Sequence, residues 1–296
     1  MIAMSAAVQS QRKNSQNGQG IVHKTCVPLK SEEDTMNWKK VVPQIIGLTL
    51  IVLLLFGFSK WYSPAFELTE STTRILFIGN SLTFYNNFPE MVAELAHSGG
   101  YNVEIDVSAY GGWTLSDHAA STVTRGKIEQ EDWDYVVLQE QSVIPSIVDE
   151  RTQQMYPAVR FLHSKIGEKG AFVILFMTWG YRNGFPDSGF SNFDEMQAQL
   201  HTGYTEIATE LGVLVAPVGT AWQNAVTQNP ELNLWQMDGV HPTEGGSYLS
   251  ACVFYALIFQ QSPEGLTYRA GLSEEMAYFL QSIAAETVLD QEQKIF

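Results

Sequence analysis

The stretch Arg74-Ile75-Leu76-Phe77-Ile78-Gly79-Asn80-Ser81-Leu82-Thr83 decides how this chain is read. Ile75 to Ile78 are four apolar residues in a row, the length and type of a parallel strand buried on both faces. The run enters Gly79-Asn80-Ser81, three turn formers, and a helical pattern starts a few residues later. In an open α/β sheet, ligands sit beyond the carboxyl ends of the strands. A serine at the tip of the first strand therefore stands where a nucleophile belongs. The competing reading is a strand-ending turn with a capping serine.

Downstream the alternation continues. Strands are predicted at Arg74–Ile78, Asn102–Val107, Tyr135–Leu138, Ala171–Met177 and Val213–Ala216. Helices are predicted at Phe88–His97, Asp117–Ile128, Thr152–Lys165, Phe193–Leu211, Thr243–Gln260 and Ser273–Glu286. Pro89 suits a first helical turn, and Ser273 with Glu274 and Glu275 reads as a capped, acid-rich start. Such units imply an α/β fold: a central, mostly parallel sheet with helices on both faces. The irregular piece Thr178–Asn192, with Trp179, Tyr181, Arg182 and Phe185, has the length of a pocket wall or lid.

Upstream, residues 1–36 are polar and aperiodic, a composition that does not build a core. Val41 to Tyr62, about 22 residues and roughly 33 Å as a helix, matches a bilayer. Trp38 stands before it and Trp61-Tyr62 close it, as in aromatic belts, and Lys39-Lys40 keep the N-terminus cytoplasmic. The expected organisation is a cytoplasmic tail at 1–40, an uncleaved transmembrane signal anchor at 41–62, a linker at 63–72 and a globular domain at 73–296 outside the cytoplasm. The alternative is a signal cleaved near Ser63-Pro64-Ala65, which would release the domain.

Formal charge is −15, and from residue 72 onward ten Lys and Arg face 27 Asp and Glu. So acidic a domain argues against nucleic acid as a partner. The two cysteines, Cys26 and Cys252, lie on opposite sides of the predicted span and show no metal-binding spacing.

Near the C-terminus stands Met237-Asp238-Gly239-Val240-His241-Pro242-Thr243. Asp238 can accept from one imidazole nitrogen of His241 and leave the other for a nucleophile, the orienting role a carboxylate plays in a Ser-His-Asp site. The plain alternative is a helix entry capped by Thr243.

Gly79-Asn80-Ser81-Leu82 early and Asp238-x-x-His241-Pro242 late resemble the first and last blocks of the SGNH/GDSL hydrolase superfamily. The resemblance spans residues 74 to about 260. It implies a flavodoxin-like three-layer fold, Ser81, Asp238 and His241 as catalytic residues, and an oxyanion hole built from the Ser81 N–H, a glycine N–H and an amide side chain. Tyr110-Gly111-Gly112-Trp113 fits the glycine block, with Gly112 preferred over Gly111. The usual Gly-x-Asn-Asp is replaced by Gln139-Glu140-Gln141-Ser142, as in a subgroup carrying a Gln-Glu-Gln-Ser segment, so Gln141, or else Gln139, takes the amide role. Asn80, Trp113, Trp179, Tyr181 and Arg182 are candidate pocket residues. No cofactor and no metal is implied. The implied activity is ester hydrolysis on a small-molecule or glycan ester, foremost a carbohydrate O-acetyl ester. Alternatives are a lipase or lysophospholipase, a thioesterase, or an inactive carbohydrate-binding surface protein.

Overall fold

Residues 75–78 do become the centre of a strand buried on both sides. The computed structural model describes residues 72–292, with side chains to 289. The chain runs β1 (Thr73–Gly79), α1 (Ser81–Phe84), α2 (Phe88–Ser98), β2 (Val103–Ala109), α3 (Leu115–Ala120), α4 (Thr122–Gln130), β3 (Tyr135–Leu138), α5 (Tyr156–Gly167), β4 (Phe172–Phe176), α6 (Phe193–Leu211), β5 (Leu214–Ala216), α7 (Val218–Gln228), α8 (Glu244–Phe259) and α9 (Glu274–Glu292). The predicted tail and the predicted membrane span lie outside the described residues. Among the described residues no helix is long and apolar enough to cross a membrane.

The five strands are all parallel, in the order β2-β1-β3-β4-β5. Side chains alternate across the sheet because successive Cβ atoms point to opposite faces. Ile75 and Phe77 of β1, Val137 of β3 and Ile174 and Phe176 of β4 join one core, packed with Leu95 of α2, Trp222 of α7, Phe254 of α8 and Leu280 of α9. Leu76, Ile78, Val136, Leu138, Val173 and Leu175 join the other, packed with Leu115, Ile128, Leu162, Tyr204 and Ile207 from α3 to α6. This is the three-layer, flavodoxin-like arrangement. Its strand order reverses between β1 and β3, the switch point where such sheets bind ligands. Ser81 follows β1 and Gln139 follows β3.

The structure departs from the sequence pattern in four places, the first being the short helix α1 at Ser81–Phe84, which the pattern did not show. The helix predicted over Asp117–Ile128 is two, because Ser121 is extended (φ −72°, ψ 124°) and its hydroxyl accepts the Thr124 N–H at 3.3 Å to cap α4. The helix predicted from Thr152 starts earlier and passes through a π-helical turn, Arg151–Met155, before α5. Pro157 offers no N–H to the carbonyl four residues back, and the ladder widens there. Helix α7 was not anticipated; Pro217 in place of a polar cap hides its start.

Candidate active site

The turn after β1 is held from three sides. Gln139 is fully buried, and its Oε1 accepts from the Asn80 N–H and the Thr83 hydroxyl, each at 2.8 Å, while its amide donates to the Glu140 carbonyl. Asn80 caps α1, its Oδ1 accepting the Leu82 N–H at 3.1 Å, and its Nδ2 donates to the Trp113 carbonyl at 2.9 Å. His118, also fully buried, places Nε2 2.8 Å from the Gly79 carbonyl and Nδ1 2.9 Å from the Thr124 hydroxyl. Burial pushes its pKa down, against the Gly79 carbonyl and Asp117, so the ring stays neutral. A carbonyl only accepts, so Nε2 carries the proton and Nδ1 accepts from Thr124. Ser81 thus opens α1 on a fixed turn, and among the described residues its N–H has no acceptor.

The second segment comes from the loop before α8, which Thr243 caps by accepting the Gly246 N–H at 3.3 Å. Asp238 Oδ1 accepts the N–H groups of Val240 at 2.9 Å and His241 at 3.0 Å, and Oδ2 lies 2.6 Å from His241 Nδ1. His241 Nε2 lies 3.0 Å from Ser81 Oγ. Desolvation pushes the Asp238 pKa up, but the His241 ring and the two N–H groups outweigh it and hold the carboxyl below its usual range. The structure therefore brings Ser81, 160 residues from His241 in the chain, into one hydrogen-bonded line with His241 and Asp238.

Two residues that the sequence reading passed over join the segments. Tyr85 stacks on His241, and Asn86 Nδ2 donates to the Pro242 carbonyl and the Ser247 hydroxyl, each at 3.0 Å. Asn86 and Asn87 both sit at φ 52°, a left-handed conformation asparagine tolerates better than most residues. The Asn86-Asn87 pair after a serine-bearing turn was the available signal. Glu140, another such residue, is fully buried.

Gly111 and Gly112 form an exposed turn after β2, and neither N–H has an acceptor among the described residues. Gly112 sits at φ 76°, where a side chain would strain the backbone. Of the two glutamines, Gln139 is a correction: its amide is engaged in holding the nucleophile turn and does not face a substrate. Gln141 is half-buried. Its Oε1 accepts the Val143 N–H at 2.9 Å, and among the described residues the only partner of its Nε2 is Ser142 Oγ at 3.4 Å.

Other pocket candidates also need correction. Asn80 is buried with both amide atoms engaged. Trp179 is 1 % exposed, lies flat on Trp222 with centroids 4.1 Å apart, and donates to the Val240 carbonyl at 2.9 Å. Arg182 is exposed and stays a pocket candidate; its guanidinium binds the Asn233 side chain and the Trp235 carbonyl, and its N–H donates to the Gly239 carbonyl at 2.9 Å. Both residues brace the Asp238 loop. Trp113, packed against Tyr110, and Tyr181, bonded to Ser142 at 2.7 Å, remain partly exposed. An open cleft of about 380 Å³ adjoins α1, lined by Phe84, Asn87, Pro89, Glu90 and Val107. Among the described residues no cluster of His, Cys, Asp and Glu is placed to hold a metal ion.

Residues 114–285 match the model of a domain of unknown function, DUF4886. A DUF4886 family protein from Bacteroides uniformis superposes with a TM-score of 0.65 at 21% identity, over 75% of this chain and 96% of that one. A protein from Slackia heliotrinireducens assigned to the SGNH hydrolases is 31% identical over 62% of this chain and 98% of its own, with a TM-score of 0.54. No curated protein matches.

Proposed function

From the premise that this chain belongs to the DUF4886 family and to the SGNH/GDSL hydrolase superfamily, we propose that it is a serine ester hydrolase. The observation that carries the reading is the line Asp238–His241–Ser81, at 2.6 and 3.0 Å. Asp238 fixes the imidazole with Nδ1 protonated and stabilises the ring once it is charged. His241 Nε2 then removes the Ser81 proton as Oγ attacks the ester carbonyl. The tetrahedral oxyanion is met by the Ser81 N–H, the N–H of Gly112 or Gly111, and the Gln141 amide. Each such preorganised donor typically contributes about 3 kcal/mol to the transition state. His241 returns the proton to the departing alcohol, and water, activated by the same ring, frees the acyl group.

The preferred substrate is a carbohydrate O-acetyl ester. Tyr110, 39 % exposed beside the Gly111-Gly112 turn and paired with the Trp113 ring, supports it as an aromatic surface suited to a sugar ring. We retain the signal anchor at 41–62, with the domain on the extracytoplasmic side, as part of the proposal. Hydrolysis of acetyl and longer-chain aryl esters, then of acetylated glycans, by the wild type and Ser81→Ala tests the reading. Activity lost with Ser81→Ala supports it; equal activity in both, or none in the wild type, rejects it.

A further inference from the structure

Resting on the serine-hydrolase reading, we propose that Glu140 is a positioning residue for the oxyanion hole, its carboxyl tying the donor loop after β2 to the donor loop after β3. Its Oε1 accepts the Gln141 N–H at 2.7 Å and the Leu115 N–H at 3.0 Å. Gln141 carries the candidate amide. Leu115 opens α3, three residues beyond Gly112, in a turn locked by a capping box between Thr114 and Asp117.

Topology makes this tie needed. β2 and β3 lie on opposite sides of β1, so no ladder hydrogen bond runs between them. Both are in register with β1 and not with each other, β3 pairing on its far side with β4, and beyond the strand ends no strand pairing aligns the two loops. The Glu140 carboxyl spans that gap, joining two backbone N–H groups through one oxygen. The Asn80 bond to the Trp113 carbonyl ties the same β2 loop to the nucleophile turn. Through these two contacts all three donor segments share one frame.

Stability alone does not account for a carboxyl here. Glu140 is fully buried, and its other oxygen, Oε2, has no hydrogen-bond partner among the described residues. Buried carboxyls are costly unless all their lone pairs are engaged. The charged and titratable groups that it senses are Asp117 of α3 and Tyr204 of α6, and neither is a cation. Burial pushes its pKa up to about 7, so the group is retained against the preference of its surroundings.

Glu140→Ala and Glu140→Gln test the assignment, with kcat and KM measured separately on an aryl acetate. Glutamine keeps a carbonyl oxygen for both N–H groups; alanine keeps none. Glu140→Ala is expected to lower kcat about 100-fold or more with KM within about threefold, while Glu140→Gln stays within about fivefold of the wild type. Loss of both loops' alignment also predicts faster amide exchange at Leu115 and Gln141 together in Glu140→Ala, with β1 amides unchanged. A change in KM alone, a glutamine variant as impaired as alanine, or exchange rates unaltered at either amide would overturn the proposal. If the wild type turns over no ester, the hydrolase reading fails instead, and the exchange rates alone decide whether Glu140 joins the loops.

Discussion

Tyr85 lies on the face of His241, ring centroids 4.7 Å apart and planes 25° from parallel. Tyr85 follows the nucleophile by four residues, so the segment that presents Ser81 also holds the ring that serves it. An offset stack of this kind contributes about 0.5–1.5 kcal/mol. Tyr85→Leu should lower kcat about tenfold by freeing the imidazole, with little effect on KM. Steady-state kinetics on an aryl ester check this; an unchanged kcat would leave the stack without a catalytic role.

Asn86 makes the second link, to Pro242 and Ser247. Asn86→Ala removes both bonds and also strains a left-handed residue. We expect a loss of about 1–3 kcal/mol in stability, read from urea unfolding. Asn86→Gly removes the bonds but relieves the strain, so it should cost less than alanine. Equal losses would mean that backbone conformation contributes nothing here.

Asp238→Asn keeps the shape of the line but disfavours the tautomer that Ser81 needs. Activity should fall by about 10³ to 10⁴, the size of such losses in other triads, with a modest loss of thermal stability near neutral pH. Asp238 has a folded pKa held below its ordinary value. Its contribution to stability is therefore present above the ordinary carboxylate range and lost as pH falls through the folded value. Below that window wild type and variant should converge in melting temperature.

Glu140 gives the opposite slope. Burial raises its pKa from 4.5 to about 7, so between those values the folded chain holds a proton that the unfolded chain releases. That stabilisation is complete below 4.5 and is lost as pH rises to about 7, a difference of about 3 kcal/mol. Stability of Glu140→Gln relative to the wild type should therefore improve by up to this amount between pH 4.5 and 8. His118, whose depressed pKa adds a slope of the other sign, is common to both proteins and cancels. Chemical denaturation across this range checks the sign; a difference independent of pH contradicts it.

Gly79→Ala would place a methyl group against Thr83 Oγ1 and Gln139 Oε1, the two atoms of the bond that locks the turn. Neither is the loose end of a surface side chain. A loss of about 1–3 kcal/mol is expected, with activity falling as the Ser81 turn shifts. Full stability and activity would show that the turn has more room than its geometry indicates.

Much of the fold was legible because its signals are local. Buried parallel strands are short apolar runs, and β3 was delimited to the residue at Tyr135–Leu138. The Asp238-x-x-His241 spacing likewise encodes a contact within one turn. Gln139, Asn80 and Trp179 were misread because their partners are distant in sequence: Thr83 for Gln139, Trp113 for Asn80, Trp222 for Trp179. Glu140 was passed over for the same reason, since Leu115 is 25 residues away and on a loop from another strand. Ser121 could have been recognised as a cap within an otherwise helical run, and Val218, Ala221, Trp222 and Ala225 do carry a helical period.

The central claim is that Ser81 is a nucleophile activated by His241. Intact-mass measurement after exposure to a fluorophosphonate tests it most directly. The account predicts one adduct on the wild type, mapped to Ser81, none on Ser81→Ala, and greatly slowed labelling of His241→Ala. An unlabelled wild type, or a Ser81→Ala variant labelled as fast as the wild type, would contradict it.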